Sequence, residues 1–161
     1  MPKLVMVTLL GLMVLTIICS IMIVRVERSR RRNIIEMKCK RNRFDFYDLH
    51  DMLCSNARDE FISRLSVEGC IILVNRSKGN KAYVDSSSNV AYRLEGIVNG
   101  DILQAIHEDV KNGDKFDVVI APFNEWRYEG ENLVDLQKRL INVYYSLDSD
   151  GKTGYNLRMP S

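Results

Sequence analysis

Residues 69–93 read GCIILVNRSKGNKAYVDSSSNVAYR, and this stretch decides the fold. Two short apolar runs, Cys70–Asn75 and Lys81–Asp85, are separated by the polar turn sequence Arg76–Asn80, so the pattern predicts two paired strands. A helix is predicted to begin within Ser86–Asn89. The stretch is therefore interpreted as a strand–turn–strand–helix unit around which the remainder of a domain is built.

The residues that follow predict a small mixed α/β domain. Apolar residues at helical spacing predict a helix over Asp101–Lys111, and the apolar run Phe116–Ala121 predicts a buried strand. The polar sequence Asn124–Gly130 is predicted as a loop, and Asn132–Leu147 as a further helix. From residue 69 onward the predicted order is β-β-α-α-β-α.

The residues before the unit, Phe44–Ser66, predict one or two amphipathic helices that lead into it. His50 lies here between Asp48 and Asp51, where it could act as a base or a metal ligand. No second His or Cys stands at ligand spacing, so a surface histidine is the favoured interpretation.

Residues 4–24 form an apolar run without a charged residue, which is long enough to predict a single transmembrane helix. A cleaved signal peptide is the alternative, but the run exceeds the usual apolar region of about 7 to 15 residues and has no A-x-A-like exit. The predicted divisions are thus a span at 4–24, a basic segment at 25–43, a helical lead-in at 44–66, a domain at 67–157 and a tail at 158–161.

The basic segment 25–43 carries nine Lys and Arg against two Glu, which predicts an N-terminus outside and a cytoplasmic C-terminal domain. Four cysteines without metal-site spacing agree with a reducing compartment. The segment is interpreted as a topology signal that also contacts anionic lipid headgroups. A nucleic-acid-binding arm is the alternative.

Four short features of the domain follow one another in a characteristic order: Gly69-Cys70-Ile71, then Tyr83-Val84-Asp85, then Arg93 ten positions after Tyr83, and finally Gly154-Tyr155-Asn156. In these features the domain resembles the GIY-YIG nuclease superfamily. That family has GIY at the first place, YIG or YVG at the second, an arginine at the third and GYN near the end of its domain. The resemblance spans residues 67–157 and implies a three-stranded sheet flanked by helices.

The resemblance also implies a set of site residues. Tyr83, Arg93 and Asn156 match family positions that serve catalysis, and three basic residues of the hairpin are candidates for substrate contacts: Arg76, Lys78 and Lys81. In an active member a glutamate holds one divalent metal ion, so Mg²⁺ is the cofactor expected if the chain cleaves. No small-molecule cofactor is expected.

Two family features are missing. The tyrosine of GIY is replaced by Ile71, and the stretch Leu136–Leu147, where the metal-binding glutamate should lie, contains no carboxylate. Asp85 replaces a family glycine; it is a weak candidate for a relocated metal ligand, and it also places a negative charge where phosphate would approach. The substitutions favour a domain that has lost or weakened its cleavage activity.

Charge separates the chain into two parts. Residues 44–161 carry thirteen Lys and Arg against nineteen Asp and Glu, although the whole chain has a net charge of +2. An acidic domain is repelled by the phosphates of DNA unless it has a local basic face. The sequence therefore favours weak or absent non-specific DNA affinity for the domain.

Three functions remain open at this point. The first is a membrane-anchored, non-cleaving GIY-YIG-like domain that binds a protein or nucleic acid near the membrane. The second is an active metal-dependent endonuclease acting there. The third is a single-span interaction protein unrelated to nucleases. A small membrane protein with an altered enzyme domain also suits a virus or a mobile element.

Overall fold

The computed structural model describes residues 13, 15–26, 42–56, 58–148 and 154–161. The chain divides into two compact units, Met1–Arg41 and Asn42–Ser161. In the first unit residues 15–26 are helical (α1). The second unit contains the sheet and the helices that pack on it.

The prediction of a transmembrane helix over residues 4–24 is wrong for the part of it that the structure describes. Among the described residues no helix is long and apolar enough to cross a membrane. The helical residues 15–26 extend about 18 Å at 1.5 Å per residue, whereas the hydrocarbon core is about 30 Å thick. The predicted single-pass localisation, which rested on that helix, is not supported, and residues 4–12 and 14 lie outside the described residues.

The second unit is built on a four-stranded antiparallel sheet with the order β1-β4-β2-β3. Its strands are β1 (Arg43–Asp45), β2 (Gly69–Asn75), β3 (Lys81–Ser87) and β4 (Phe116–Pro122). The central strand β2 is buried along its whole length. A continuous apolar run such as CIILV is typical of a strand that is covered on both faces.

The prediction of three strands is wrong, because β1 adds a fourth at the edge beyond β4. Phe44 of β1 lies opposite Val118. With only three residues, β1 is too short to show the alternation of polar and apolar residues by which a strand is recognised. The sequence pattern therefore assigned Phe44 to the helix that follows.

Six helices of the second unit are described: α2 (Phe46–Cys54), α3 (Arg58–Leu65), α4 (Val90–Val98), α5 (Gln104–Lys111), α6 (Phe123–Trp126) and α7 (Leu133–Tyr144). The helices α2 to α5 contribute to one core with Ile71 and Leu73 on one face of the sheet. Helix α7 packs against β2 and β3, where Val84 and Leu140 are fully buried. The predicted loop 124–130 contains most of α6, and Trp126 is 2% exposed.

The predicted lead-in 44–66 belongs to the same compact unit as the rest of the domain. Phe46, Leu49, Leu53 and Phe61 are all members of the main core. Burying each such side chain contributes roughly 1.5–3 kcal/mol. Helices α2 and α3 are therefore as much part of the folded domain as the hairpin.

The turn between β2 and β3 has a defined cause. The side-chain oxygen of Asn75 accepts hydrogen bonds from the N–H groups of Ser77 and Lys78, which begins a short 3₁₀ helix over Arg76–Lys78. Gly79 and Asn80 then adopt φ of +63° and +64°. Glycine and asparagine tolerate this left-handed region best, so the chain reverses direction at these two positions with little backbone strain.

The outer edge of β3 is covered by residues from near the end of the chain. Gly154–Asn156, here named the C-terminal edge segment, forms a parallel bridge in which Gly154 pairs with Ala82. The N–H of Tyr155 donates to the carbonyl of Ala82 at 2.9 Å. These contacts satisfy part of an edge that would otherwise be open for pairing.

Candidate functional site

The first residues of the resemblance serve the sheet. Gly69 pairs with both neighbouring strands, and a Cβ atom at that position would lie 2.5 Å from the carbonyl oxygen of Ala121. Ile71 is fully buried in the main core. Gly69 is required because the backbone of β4 approaches it closely, and Ile71 is suited to its apolar surroundings in the core.

Tyr83, Asp85 and Arg93 lie together, and with Asp101 they form what is here named the Arg93 cluster. Tyr83 and Asp85 are two residues apart on β3 and so share a face of the sheet. Nε of Arg93 donates to Oδ2 of Asp85 at 2.6 Å, and another guanidinium nitrogen donates to Asp101 through its carboxylate at 2.7 Å and its carbonyl at 3.0 Å. The guanidinium is thus held by acids of its own chain.

Burial and neighbouring charges set the pKa values of Tyr83 and Arg93. Burial raises the pKa of the Tyr83 phenol, and the charge of Asp85 raises that pKa further. Burial lowers the pKa of Arg93, but the hydrogen bond and charge of Asp85 outweigh that effect and the pKa is raised. A phenol with a raised pKa remains protonated at neutral pH, so Tyr83 is a poor base for activating water.

Asn156 is not part of the Arg93 cluster. Its Nδ2 donates to the carbonyl of Val84 at 2.8 Å, and the N–H of Val84 donates to its Oδ1 at 2.8 Å. The amide therefore pairs like an added strand residue with the edge of β3. The structure brings Tyr83 and Arg93 together and gives Asn156 a separate, structural position.

The three basic hairpin residues are each engaged within the domain. Arg76 pairs with Asp45 at 2.6 Å and with Asp117 at 3.2 Å. Lys78 lies 2.5 Å from Asp109 and 3.8 Å from Asp114. Nζ of Lys81 lies 4.5 Å from the centre of the Tyr155 ring. A phosphate would have to compete with these partners at each position.

The residues present do not fit a divalent cation. Asp85 accepts from Arg93 and from the N–H of Ser86. On α7 the buried positions that approach the sheet are Leu136, Gln137, Leu140 and Ile141, none of which is a carboxylate. Within the described ranges no group of three His, Cys, Asp or Glu could hold a metal ion. Mg²⁺ requires anionic oxygen that this arrangement does not supply.

Gln137 and Tyr155 have roles that the sequence did not indicate. Gln137 accepts from the Ser86 hydroxyl at 2.8 Å, which connects α7 to β3. The Tyr155 hydroxyl donates to Asp109 at 2.5 Å and accepts from Asn75 at 2.9 Å. In the sequence Tyr155 is recognisable only as the middle residue of GYN. The fold shows that its hydroxyl joins β2 to α5 through Asn75 and Asp109.

A groove of about 350 Å³ lies between α3 and α4, here named the Tyr92 groove. Ile62 and Ser66 contribute from the α3 side, and Tyr92 and Glu95 from α4. Tyr92 is 77% exposed. Arg58 binds Glu95 across the groove through Nε at 3.0 Å. This groove could not be recognised from the sequence, because an isolated surface tyrosine belongs to no motif.

Protein-family models, curated proteins and solved structures were compared with this chain, and none of them matches it. The nuclease and viral interpretations therefore have no support from relatives.

Proposed function

We propose that residues 42–161 form a non-cleaving domain of GIY-YIG-like arrangement whose function is to bind a protein with a basic surface. The observation that carries the proposal is the pairing of Arg93 with Asp85. In a nuclease of that arrangement the arginine steadies charge on the scissile phosphate. An arginine already held by two carboxylates has no free charge to offer.

The hairpin supports the same conclusion. Arg76 and Lys78 are paired with aspartates, so they do not form a free basic face on the domain. Non-specific DNA binding gains its free energy from Lys and Arg that release counterions from phosphates. Residues 44–161 carry an excess of six acidic residues, which favours a basic partner over nucleic acid.

The Tyr92 groove is the surface that suits such a partner best. Exposed tyrosines are enriched among the residues that contribute most to protein binding. Tyr92 is the most exposed aromatic residue that the structure describes. The charged residues that line the groove are Arg58, Asp59 and Glu95, which leave it with an excess of one negative charge.

The experiment compares two exposed tyrosines in the full chain. A photo-crosslinking amino acid replaces Tyr92 in one variant and Tyr145 in the other; Tyr145 is 71% exposed and does not line the groove. Crosslinking is carried out in the cells that express the protein, and adducts are identified by mass spectrometry. We expect basic proteins to be captured at position 92 and not at position 145.

Nucleic-acid binding is tested in parallel with the same protein. Supercoiled plasmid is incubated with the full chain at about 150 mM salt, with Mg²⁺ or Mn²⁺ present. Cleavage is measured as conversion to the nicked form, and binding is measured as a mobility shift. We expect neither effect. Nicking that is abolished by Arg93→Ala, or adducts that form equally at both tyrosines, would overturn the proposal.

A further inference from the structure

A second groove, of about 270 Å³, shares no lining residue with the Tyr92 groove. It is formed by α2, the end of α4 and α5. Its base is apolar: Phe46 and Ile97 are buried, and Ile102 and Val110 are partly buried. Most ligand sites have an apolar base of this kind with a few polar groups that fix orientation.

The rim of this groove carries the only two histidines of the chain, so it is here named the histidine groove. His50 projects from α2, whereas His107 and Lys111 project from α5. None of the described residues that line the groove is acidic. Asp51 is the carboxylate placed beside it, with Oδ1 at 3.6 Å from Nδ1 of His50. The groove thus has one lysine and two imidazole rings at its rim, over an apolar base.

We propose that the histidine groove binds a small organic anion with a short apolar chain, and specifically a medium-chain carboxylate. The chain would lie against Phe46, Ile97 and Ile102, where burial of its apolar surface favours binding. The carboxylate would lie at the rim and accept from His107 and Lys111, a type of bond stronger than one between neutral groups. The groove volume of about 270 Å³ is slightly below that of sites for drug-sized ligands, about 300–1,000 Å³, which favours a single short chain.

The two histidines make the site directly observable. In the full chain labelled at histidine, each imidazole ring gives its own NMR signal, and both rings belong to this groove. Octanoate is titrated, with octanol as the uncharged probe of equal length and octylammonium as the probe of opposite charge. We expect saturable shifts of both rings with octanoate, affinity about tenfold weaker with octanol, and no saturable shift with octylammonium.

Matched charge variants test the position of the carboxylate. Lys111→Glu reverses an exposed rim charge without burying a new group, and Lys115→Glu makes the same change at an exposed lysine that does not line the groove. We expect Lys111→Glu to weaken octanoate binding about tenfold or more and Lys115→Glu to leave it unchanged. His107→Gln should weaken binding as well, with the His50 ring as the reporter.

Three results would overturn the proposal: no saturable shift with octanoate, equal affinity for octanoate and octanol, or equal losses in the two lysine variants. None of them bears on the Tyr92 groove, because the two surfaces have no residue in common. The failure of this inference is therefore distinguishable from the failure of the proposed protein-binding function.

Discussion

The guanidinium of Arg93 and the carboxylate of Asp85 are joined by a hydrogen bond of 2.6 Å, and both side chains are largely buried, at 24% and 20% exposure. This pair connects the last part of β3 to the first turns of α4. The same arginine that the sequence places in a phosphate site therefore stabilises the domain. In the folded chain it joins β3 to α4 through Asp85.

Asp85→Ala is expected to lower the free energy of unfolding by about 1.5–3 kcal/mol, because it removes a charge-assisted hydrogen bond and leaves Arg93 without that partner. Asp101→Ala is the matched control. Asp101 is 79% exposed, so its loss should cost at most about 1 kcal/mol. Urea denaturation measures both values, and equal losses would contradict the assigned importance of the Asp85 pair.

Gly154→Ala is expected to lower the free energy of unfolding by about 2–4 kcal/mol. A Cβ atom at this position would overlap the carbonyl of Ser146, which already accepts from the N–H of Asn156. The C-terminal edge segment could then no longer lie against β3. Hydrogen exchange at the N–H of Val84, which donates to Asn156, should become faster.

Gly130→Ala provides the control for that change. Gly130 has φ of +79°, and a Cβ atom there would meet no other atom within 4 Å, so alanine costs only backbone strain of about 1–2 kcal/mol. Exchange at Val84 should be unchanged in this variant. Faster exchange at Val84 in both variants would show that the effect is not specific to the edge segment.

Tyr155→Phe is expected to destabilise the protein in a pH-dependent way. Burial raises the pKa of Asp109, but hydrogen bonds from Lys78 and Tyr155 outweigh it, and the pKa is lowered below its ordinary value of 3.8. A lowered pKa in the folded state gives stability that is present above about pH 4 and is lost as the pH falls through the folded value. The difference between wild type and variant should be about 1–2 kcal/mol at pH 7 and should shrink below pH 3.8.

The measurement is urea denaturation at several pH values, with Tyr145→Phe as the control at an exposed tyrosine. That control should have no effect at any pH. A Tyr155→Phe difference that stays constant from pH 7 to about pH 2 would show that the hydroxyl does not act through the Asp109 carboxylate.

Cys70 and Cys54 are expected to differ in reactivity. Burial raises the pKa of the Cys70 thiol to about 12, whereas Cys54 is exposed. Only the thiolate reacts with iodoacetamide, so at pH 8 about one Cys70 thiol in ten thousand is in the reactive form. Mass spectrometry of the native protein should find Cys54 modified and Cys70 protected, and both modified in denaturant.

Much of the sheet could be predicted because its signals are local. The apolar run through Ile71 and Leu73 predicted a covered strand, and the observed strand Gly69–Asn75 begins one residue earlier than predicted. The short strand of Phe44 was missed because pairing with Val118 is a property of the fold and leaves no pattern in three residues. Hydropathy alone predicts the membrane helix, and the described part of that segment does not support it.

The site was less predictable, because partners distant in sequence decide it. The resemblance predicts Tyr83, Arg93 and Asn156 as site residues, and of these three Tyr83 and Arg93 lie together. What the sequence could not show is that Lys78 faces Asp109, or that Asn156 pairs with the backbone of Val84. The sequence shows how many basic side chains are present, but only the fold shows which of them are paired with acidic side chains.

The C-terminal edge segment also has a consequence for how the domain folds. Ala82 is paired with Gly154, 72 positions later in the chain, so a contact of very long range completes the sheet. Contacts of this kind form slowly, since a large loop must close before they are made. During synthesis β3 therefore has an open edge until the last part of the domain has left the ribosome, and in that interval it can pair with another nascent chain.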